Sequence, residues 1–182
     1  MNLAELFSLL HADLLRLSAT TSSGINWLNL INPRFTPVLI IRLARYCLLT
    51  RWLSPLAYFL TWLNVLLFGM ECTARCEIGP GLFLPHTNGT VIGASSIGEN
   101  ATIFQGVTLG AVTIDLSFDI TKRPILGNHV TIGAGAVVLG GLKIGNRATI
   151  GANAVVLDSI IDDAVAVGIP AKIVRMTNDD II

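Results

Sequence analysis

The residue best placed to do chemistry is His86, in the run GLFLPHTNGTVIG. It stands between Pro85 and the polar group Thr87-Asn88-Gly89, a setting in which an imidazole projects from the chain. Imidazole exchanges protons near neutral pH, so the residue type suits a general base. The same placement also suits an ordinary polar corner, and the residues alone leave both readings open. His129 falls where a side chain faces solvent, and His11 lies on an amphipathic helix. Cys72 and Cys76 are spaced C-x3-C, but no second ligand pair follows. These two and Cys47 therefore read as small buried thiols rather than a zinc site. The sequence has no phosphate-binding glycine loop, no GxSxG elbow and no histidine cluster for a metal. Twelve Lys and Arg balance twelve Asp and Glu, so the basic footprint of a nucleic-acid binder is missing.

The elements that carry His86 follow from a repeat. Aliphatic residues recur at every sixth position: Leu126, Ile132, Val138, Ile144, Ile150 and Val156. Four residues after each stands another apolar residue: Val130, Ala136, Leu142, Ala148, Ala154 and Ile160. The frame holds upstream at Ile97, Ile103 and Leu109, and again at Ile78 and Leu84. A period of six fits neither a helix nor an isolated strand; it fits a parallel β-helix of hexapeptides. Three hexapeptides make one triangular coil, and about four coils fit between Cys76 and Ile161. The frame slips between Leu84 and Ile97, where one extra residue accompanies His86. It breaks between Gly110 and Pro124, so the segment 111–123 reads as a loop thrown out from the prism. Loops of this kind commonly carry function.

Residues 1–70 read as helices, with a first helix in NLAELFSLLHADLLRLS and two more from about Pro37 to Trp52 and Pro55 to Phe68. Ser22, Ser23, Gly24, Asn32 and Pro33 mark the loop between the first and second. Hydrophobic residues make up 52% of the chain and charged residues 13%, which excludes a disordered chain. The excess is blocky from Thr36 to Met70 and dispersed through the repeat. The nineteen uncharged residues from Trp52 to Met70 have the length of a membrane span, but Pro55 interrupts them. Burial in an oligomer is the leading reading of this run, with peripheral membrane contact the next. The Met1 end lacks a signal-peptide pattern, so the expected location is the cytoplasm or the inner face of its membrane. The expected organisation is a helical region at 1–70, a β-helix at 71–175 and a tail at 176–182.

From Phe68 to Val174 the chain resembles the serine acetyltransferase family of hexapeptide acyltransferases. The matching runs are FGMECTARCEIGPGLFLPHTNGTVIG, IFQGVTLG, KRPILGNHVTIGAGAVVLGG, IGNRATIGANAVVL and VGIPAKIV. The helical segment NPRFTPVLIIRLARY resembles the end of that family's helical region. The resemblance implies a mainly β protein, a left-handed parallel β-helix with an N-terminal α-helical region. It also implies a homotrimer (higher assembly through the helical region included), acetyl-CoA as donor and sites between adjacent subunits. By the same resemblance His86 is the general base and Glu71 the carboxylate that orients it. Glu71 is one methylene longer than the family's Asp. The resemblance places Gly110, Ala134, Gly135 and Ala152 in the groove beside the pantetheine arm and Lys172 near the CoA phosphates. It implies no metal.

The departures bear on the acceptor. Pro85 stands where the family has Asp, Arg123 where it has a second histidine, and Lys122 where it has Arg. With Pro85 there, one partner for serine's ammonium group is gone. The longer loop carries Asp115, Phe118 and Asp119, which can shape a different pocket. The expectation drawn from this is an O-acetyltransferase acting on a sugar hydroxyl, of a bacterial surface polysaccharide or its lipid-linked precursor. Serine O-acetylation is the alternative, favoured by the tail NDDII, which resembles the acidic, Ile-ending tail by which that family docks the next enzyme of cysteine synthesis. A non-catalytic trimeric β-helix that serves as a binding subunit is the third reading.

Overall fold

The computed structural model describes residues 1–21, 24, 27–115 and 117–176. The expectations for Ser22, Ser23 and the NDDII tail lie outside them. The repeat folds as three sheets that run side by side along a coil. The first face stacks Glu71–Cys72, Val91–Ile92, Thr108–Gly110, Val137–Leu139 and Val155–Val156. The second stacks Glu77–Ile78, Ser96–Ile97, Ile125–Leu126 and Lys143–Ile144. The third stacks Thr102–Ile103, Thr131–Ile132, Thr149–Ile150 and Ala164–Val167, closed by the antiparallel strand Lys172–Met176. Glu71–Cys72 pairs with Val91–Ile92, so the coil begins before Cys76, where the sequence frame was counted from.

Register explains the period. Thr131 pairs with Thr149 and Val137 with Val155, one turn of eighteen residues on. Each inward aliphatic thus lies over its equivalent at strand spacing of about 4.8 Å. Ile132, Val138, Ile144 and Ile150 are buried, as are Val130, Ala136, Ala148 and Ala154. The glycines after the aliphatics are required by close approach. A Cβ on Gly133 would stand 2.6 Å from the Ala152 nitrogen of the next coil. Left-handed backbone falls at the corners, as Gly and Asn there lead one to expect, but one corner column also holds His129, Arg147 and Asp163 at positive φ. These pair with neighbours instead: His129 with Glu99, and Arg147 with Asp163.

The helices are α1 (Leu3–Thr21), α2 (Thr36–Leu49) and α3 (Ser54–Phe68). Pro55 sits in the first turn of α3, and Gly69 ends that helix in a left-handed cap whose N–H donates to Val65 O. Among the described residues no helix is long and apolar enough to cross a membrane. The outer side of α3 exposes Tyr58, Phe59, Trp62, Leu66 and Leu67. Cys47, Cys72 and Cys76 are buried and unpaired. Burial pushes the Cys76 thiol up to about 12 and the Cys72 thiol well above its usual range, so neither is a ready nucleophile.

One buried ion pair fastens the helices to the prism. Arg42 of α2 donates from Nε to Asp13 Oδ2 at 2.9 Å and from Nη2 to Asp13 Oδ1 at 3.0 Å. Arg42 also donates to the carbonyls of Ile78 and Gly79. Asp13 Oδ1 accepts the N–H groups of Gly81 and Leu82, each at 2.9 Å. Side-chain exposure is 3% for Arg42 and 0% for Asp13. Removing one partner leaves an uncompensated buried charge, which costs far more than the pair itself contributes. Asp13→Ala is expected to destabilise the fold by about 3–5 kcal/mol in urea unfolding. A change below about 1 kcal/mol would contradict the fastening role.

Candidate functional site

The corner between the third and first faces carries His86. The strand-like residue Phe83 bridges to Thr102 on the third face, and Val91 opens the next strand of the first. Between them the polar turn is stitched to the end of α3. Thr87 Oγ1 donates to Phe68 O at 3.0 Å, and Gly89 N–H donates to Gly69 O at 2.8 Å. The extra residue is therefore taken up by a turn held against the helix cap, and His86 is exposed on it. Its cavity of about 520 Å³ is lined by Pro33, Arg34, Pro85, His86, Thr87, Asn88 and Gln105. Arg34 donates from Nε to Pro85 O at 3.3 Å.

The same corner continues up the prism as a column of backbone hydrogen bonds. Gly106 N–H donates to Asn88 O, Gly135 N–H to Gln105 O, and Asn153 N–H to Ala134 O, at 3.0, 2.9 and 2.8 Å. Ala134, Gly135 and Ala152 therefore stand in line above the turn of His86. Gly135 has φ +70°, and a Cβ there would lie 2.3 Å from Asn153 Oδ1, so the position favours glycine. Ala152 is exposed and Ala134 half-exposed, which leaves this edge of the backbone open to a flexible chain laid along it.

The remaining site candidates lie elsewhere. Glu71 and Gly110 are on the first face and line a second cavity of about 520 Å³ with Tyr58, Arg75, Asp115, Phe118 and Arg123. Within one chain, Glu71 and His86 thus line different cavities. Gly110 has open space where its Cβ would be, and it too is apart from Ala134, Gly135 and Ala152. Lys122 lines a third cavity with Val112 and Gly140, and its ammonium lies 3.6 Å from Asp119. Lys172 is exposed on the closing strand. Among the described residues no cluster of His, Cys, Asp or Glu could hold a metal ion.

The loop 111–123 is built around Arg123. Its Nε and Nη2 both donate to Asp115 Oδ2, at 3.2 and 3.0 Å, and Nη1 donates to Gly93 O at 2.9 Å. The guanidinium lies 4.2 Å from the Phe118 ring centroid. Arg75 approaches the same ring at 5.9 Å and donates to Ser117 O. The Asp115 carboxyl is lowered to about 2, first by the Ser117 hydroxyl, then by the Asp119 N–H and Arg123. Sequence reasoning missed this clamp, as well as Arg34 and Gln105 beside His86. The signal for the clamp was present as Asp115 and Arg123 bracketing an irregular segment.

Three comparisons with known proteins bear on this arrangement. The model of the bacterial transferase hexapeptide family (six repeats) matches residues 123–158. The serine acetyltransferase of Helicobacter pylori (strain J99) is 41% identical over 150 residues, covering 79% of this chain and 82% of that one. The crystal structure of Neisseria gonorrhoeae serine acetyltransferase superposes with a TM-score of 0.84 at 28% identity, covering 97% of this chain and 69% of that one. The Brucella abortus serine acetyltransferase in complex with coenzyme A superposes at 0.83 with 26% identity, covering 96% and 69%. The fold is accordingly the left-handed β-helix of these enzymes.

Because the Asp115 carboxyl is lowered, its contribution is present above its unfolded value near 3.8 and is lost as pH falls toward 2. Hydrogen exchange of the Asp119 amide, measured relative to its intrinsic rate at each pH, is therefore expected to stay slow at about pH 5 and to quicken between about pH 4 and 2. Asp115→Asn should quicken it at about pH 7, and unchanged exchange in that variant would contradict the clamp.

Proposed function

The chain belongs to the serine acetyltransferase family, and on that premise we propose that it is a serine O-acetyltransferase, moving the acetyl group of acetyl-CoA to the serine hydroxyl. The observation that carries this reading is the 41% identity with an enzyme of that name over about four-fifths of both chains. The sugar acceptor drawn from the sequence departures finds no counterpart among the relatives above, and the serine alternative is the one they favour.

The donor is assigned to the corner above His86. The complex of the Brucella abortus relative with coenzyme A supports a CoA-binding fold. On this chain, Ala134, Gly135 and Ala152 fit the pantetheine arm because their small side chains leave the corner backbone approachable. Lys172 is assigned to the CoA phosphates.

His86 takes the proton of the acceptor hydroxyl as its oxygen attacks the thioester carbonyl. The tetrahedral intermediate collapses, the C–S bond breaks, and the imidazolium returns its proton to the departing thiolate. A carboxylate on the other ring nitrogen would fix the tautomer and stabilise the imidazolium. Glu71 of the same chain lines another cavity, so that carboxylate is assigned to a second copy. His86 stands at the corner that leads into the first face, and the Glu71–Arg123 group lines a cavity on that face itself. Joining the two groups is a head-to-tail contact, which closes into a ring when a whole number of copies completes one turn. A homotrimer of this kind makes a complete site at each junction. It also gives the apolar side of α3, whose Tyr58 borders the Glu71 cavity, a protein neighbour.

Acetyl-CoA-dependent thiol release with L-serine is the direct test. His86→Ala is expected to lower kcat about 10²–10⁴-fold while CoA binding, measured by calorimetry, is retained. Full turnover by that variant would remove His86 from the mechanism. Release with a saccharide and none with serine would restore the polysaccharide reading.

A further inference from the structure

We propose that the pocket beside His86 selects its acceptor by a carboxylate held on Arg34 and reads the neighbouring amino group only through a neutral amide. The acceptors are then short 3-hydroxycarboxylates with a hydrogen-bond donor at carbon 2, and serine is one member of that class. This rests on the acyl-transfer role of His86 given above.

The residues lining the His86 cavity include no carboxylate. An ammonium group taken from water into such a wall meets only neutral acceptors, and without a counter-charge its desolvation is poorly offset. The charge present has the opposite sign. Arg34 is held at the cavity by its Nε donation to Pro85 O, the residue before His86. No carboxylate among the described residues forms an ion pair with it, and that single donation leaves its Nη groups for a ligand. A guanidinium so placed takes a carboxylate through two parallel N–H bonds.

Gln105 supplies the second contact. It lines the same cavity, and its Oε1 is buried without a hydrogen-bond partner. A buried acceptor left unmade is costly, so turning the Gln105 amide to meet a ligand donor gives up no hydrogen bond of its oxygen and recovers that cost. An amide oxygen accepts from an ammonium or from a hydroxyl alike. Glycerate, with a hydroxyl where serine has its amine, offers the same pattern of groups.

The half-site assigned to the neighbouring copy does not supply the missing negative charge. Its cavity holds two carboxylates and two guanidinium groups. Asp115 is committed to Arg123, Ser117 and the Asp119 N–H, and Glu71 is assigned to the imidazole.

The test is a kinetic panel on the full chain with acetyl-CoA and L-serine, D- and L-glycerate and L-serinamide. One glycerate enantiomer is expected within about tenfold of L-serine in kcat/KM, and serinamide at least about 100-fold below it. Arg34→Gln is expected to raise KM for both carboxylates about 10–100-fold, more than it lowers kcat, and to narrow their advantage over serinamide. Arg34 is exposed, and unchanged melting and CoA binding show that the variant is folded. Serine turnover with both glycerates more than about 100-fold poorer, or with a KM indifferent to Arg34→Gln, overturns this inference and leaves the serine reading standing. Turnover of neither serine nor glycerate overturns both.

Discussion

Every inward aliphatic of the repeat must lie over its equivalent one turn along, because the strands above and below share one ladder of hydrogen bonds. A slip of one residue would turn Ile132, Val138 and Ile150 outward and their polar neighbours into the axis. That register fixes the corners as firmly as the core. The corner positions are therefore straight columns, and an element anchored at one level has a fixed relation to all those above it. The proposed site uses this directly: the turn of His86 lies at the foot of the column that carries Gln105, then Ala134 and Gly135, then Ala152. The helical region gains its placement from the same column through α3, whose capping residue Gly69 accepts from Gly89 in the turn.

What was legible in the sequence is what repeats. The sixfold period named the inward residues of the prism, and its two faults marked the segments that leave the frame. Both faults are real in the structure: one is the turn of His86 and the other is the loop around Arg123. The pairings across distant segments were not legible. Nothing local marks Asp13 on α1 and Arg42 on α2 as partners, and only the fold brings them together over Ile78 to Leu82. Arg34 likewise gave no local sign that it would meet Pro85. Nor could spacing reveal that Glu71 and His86, fifteen positions apart, would point into separate cavities of one chain.

The substitutions that set this chain apart act at two separate places. Proline before His86 brings no side-chain charge, and its carbonyl becomes the anchor of Arg34. Arginine at position 123 does not stand free: with 12% of its side chain exposed, against 4% for Asp115, it organises the loop through that carboxylate and the Phe118 ring. The loop clamp carries its own counter-charge, so Arg123 is neutralised without drawing on charges near His86. Lost contacts to an ammonium group first suggested a sugar acceptor. The relatives favour serine, and Arg34 offers a way to hold it by its other charged end.

We propose that a complete site takes His86 from one copy and Glu71 from the next. Mixed oligomers test it most directly. His86→Ala and Glu71→Ala chains, each inactive alone, are denatured together in equal amounts, refolded and assayed for acetyl transfer. If the pair forms between copies, random assembly pairs an intact His86 with an intact Glu71 at about one quarter of junctions, and about that fraction of the wild-type rate should return. If the two act within one chain, no site in any mixture is intact, and a rate that stays at the level of the separate variants would contradict the account.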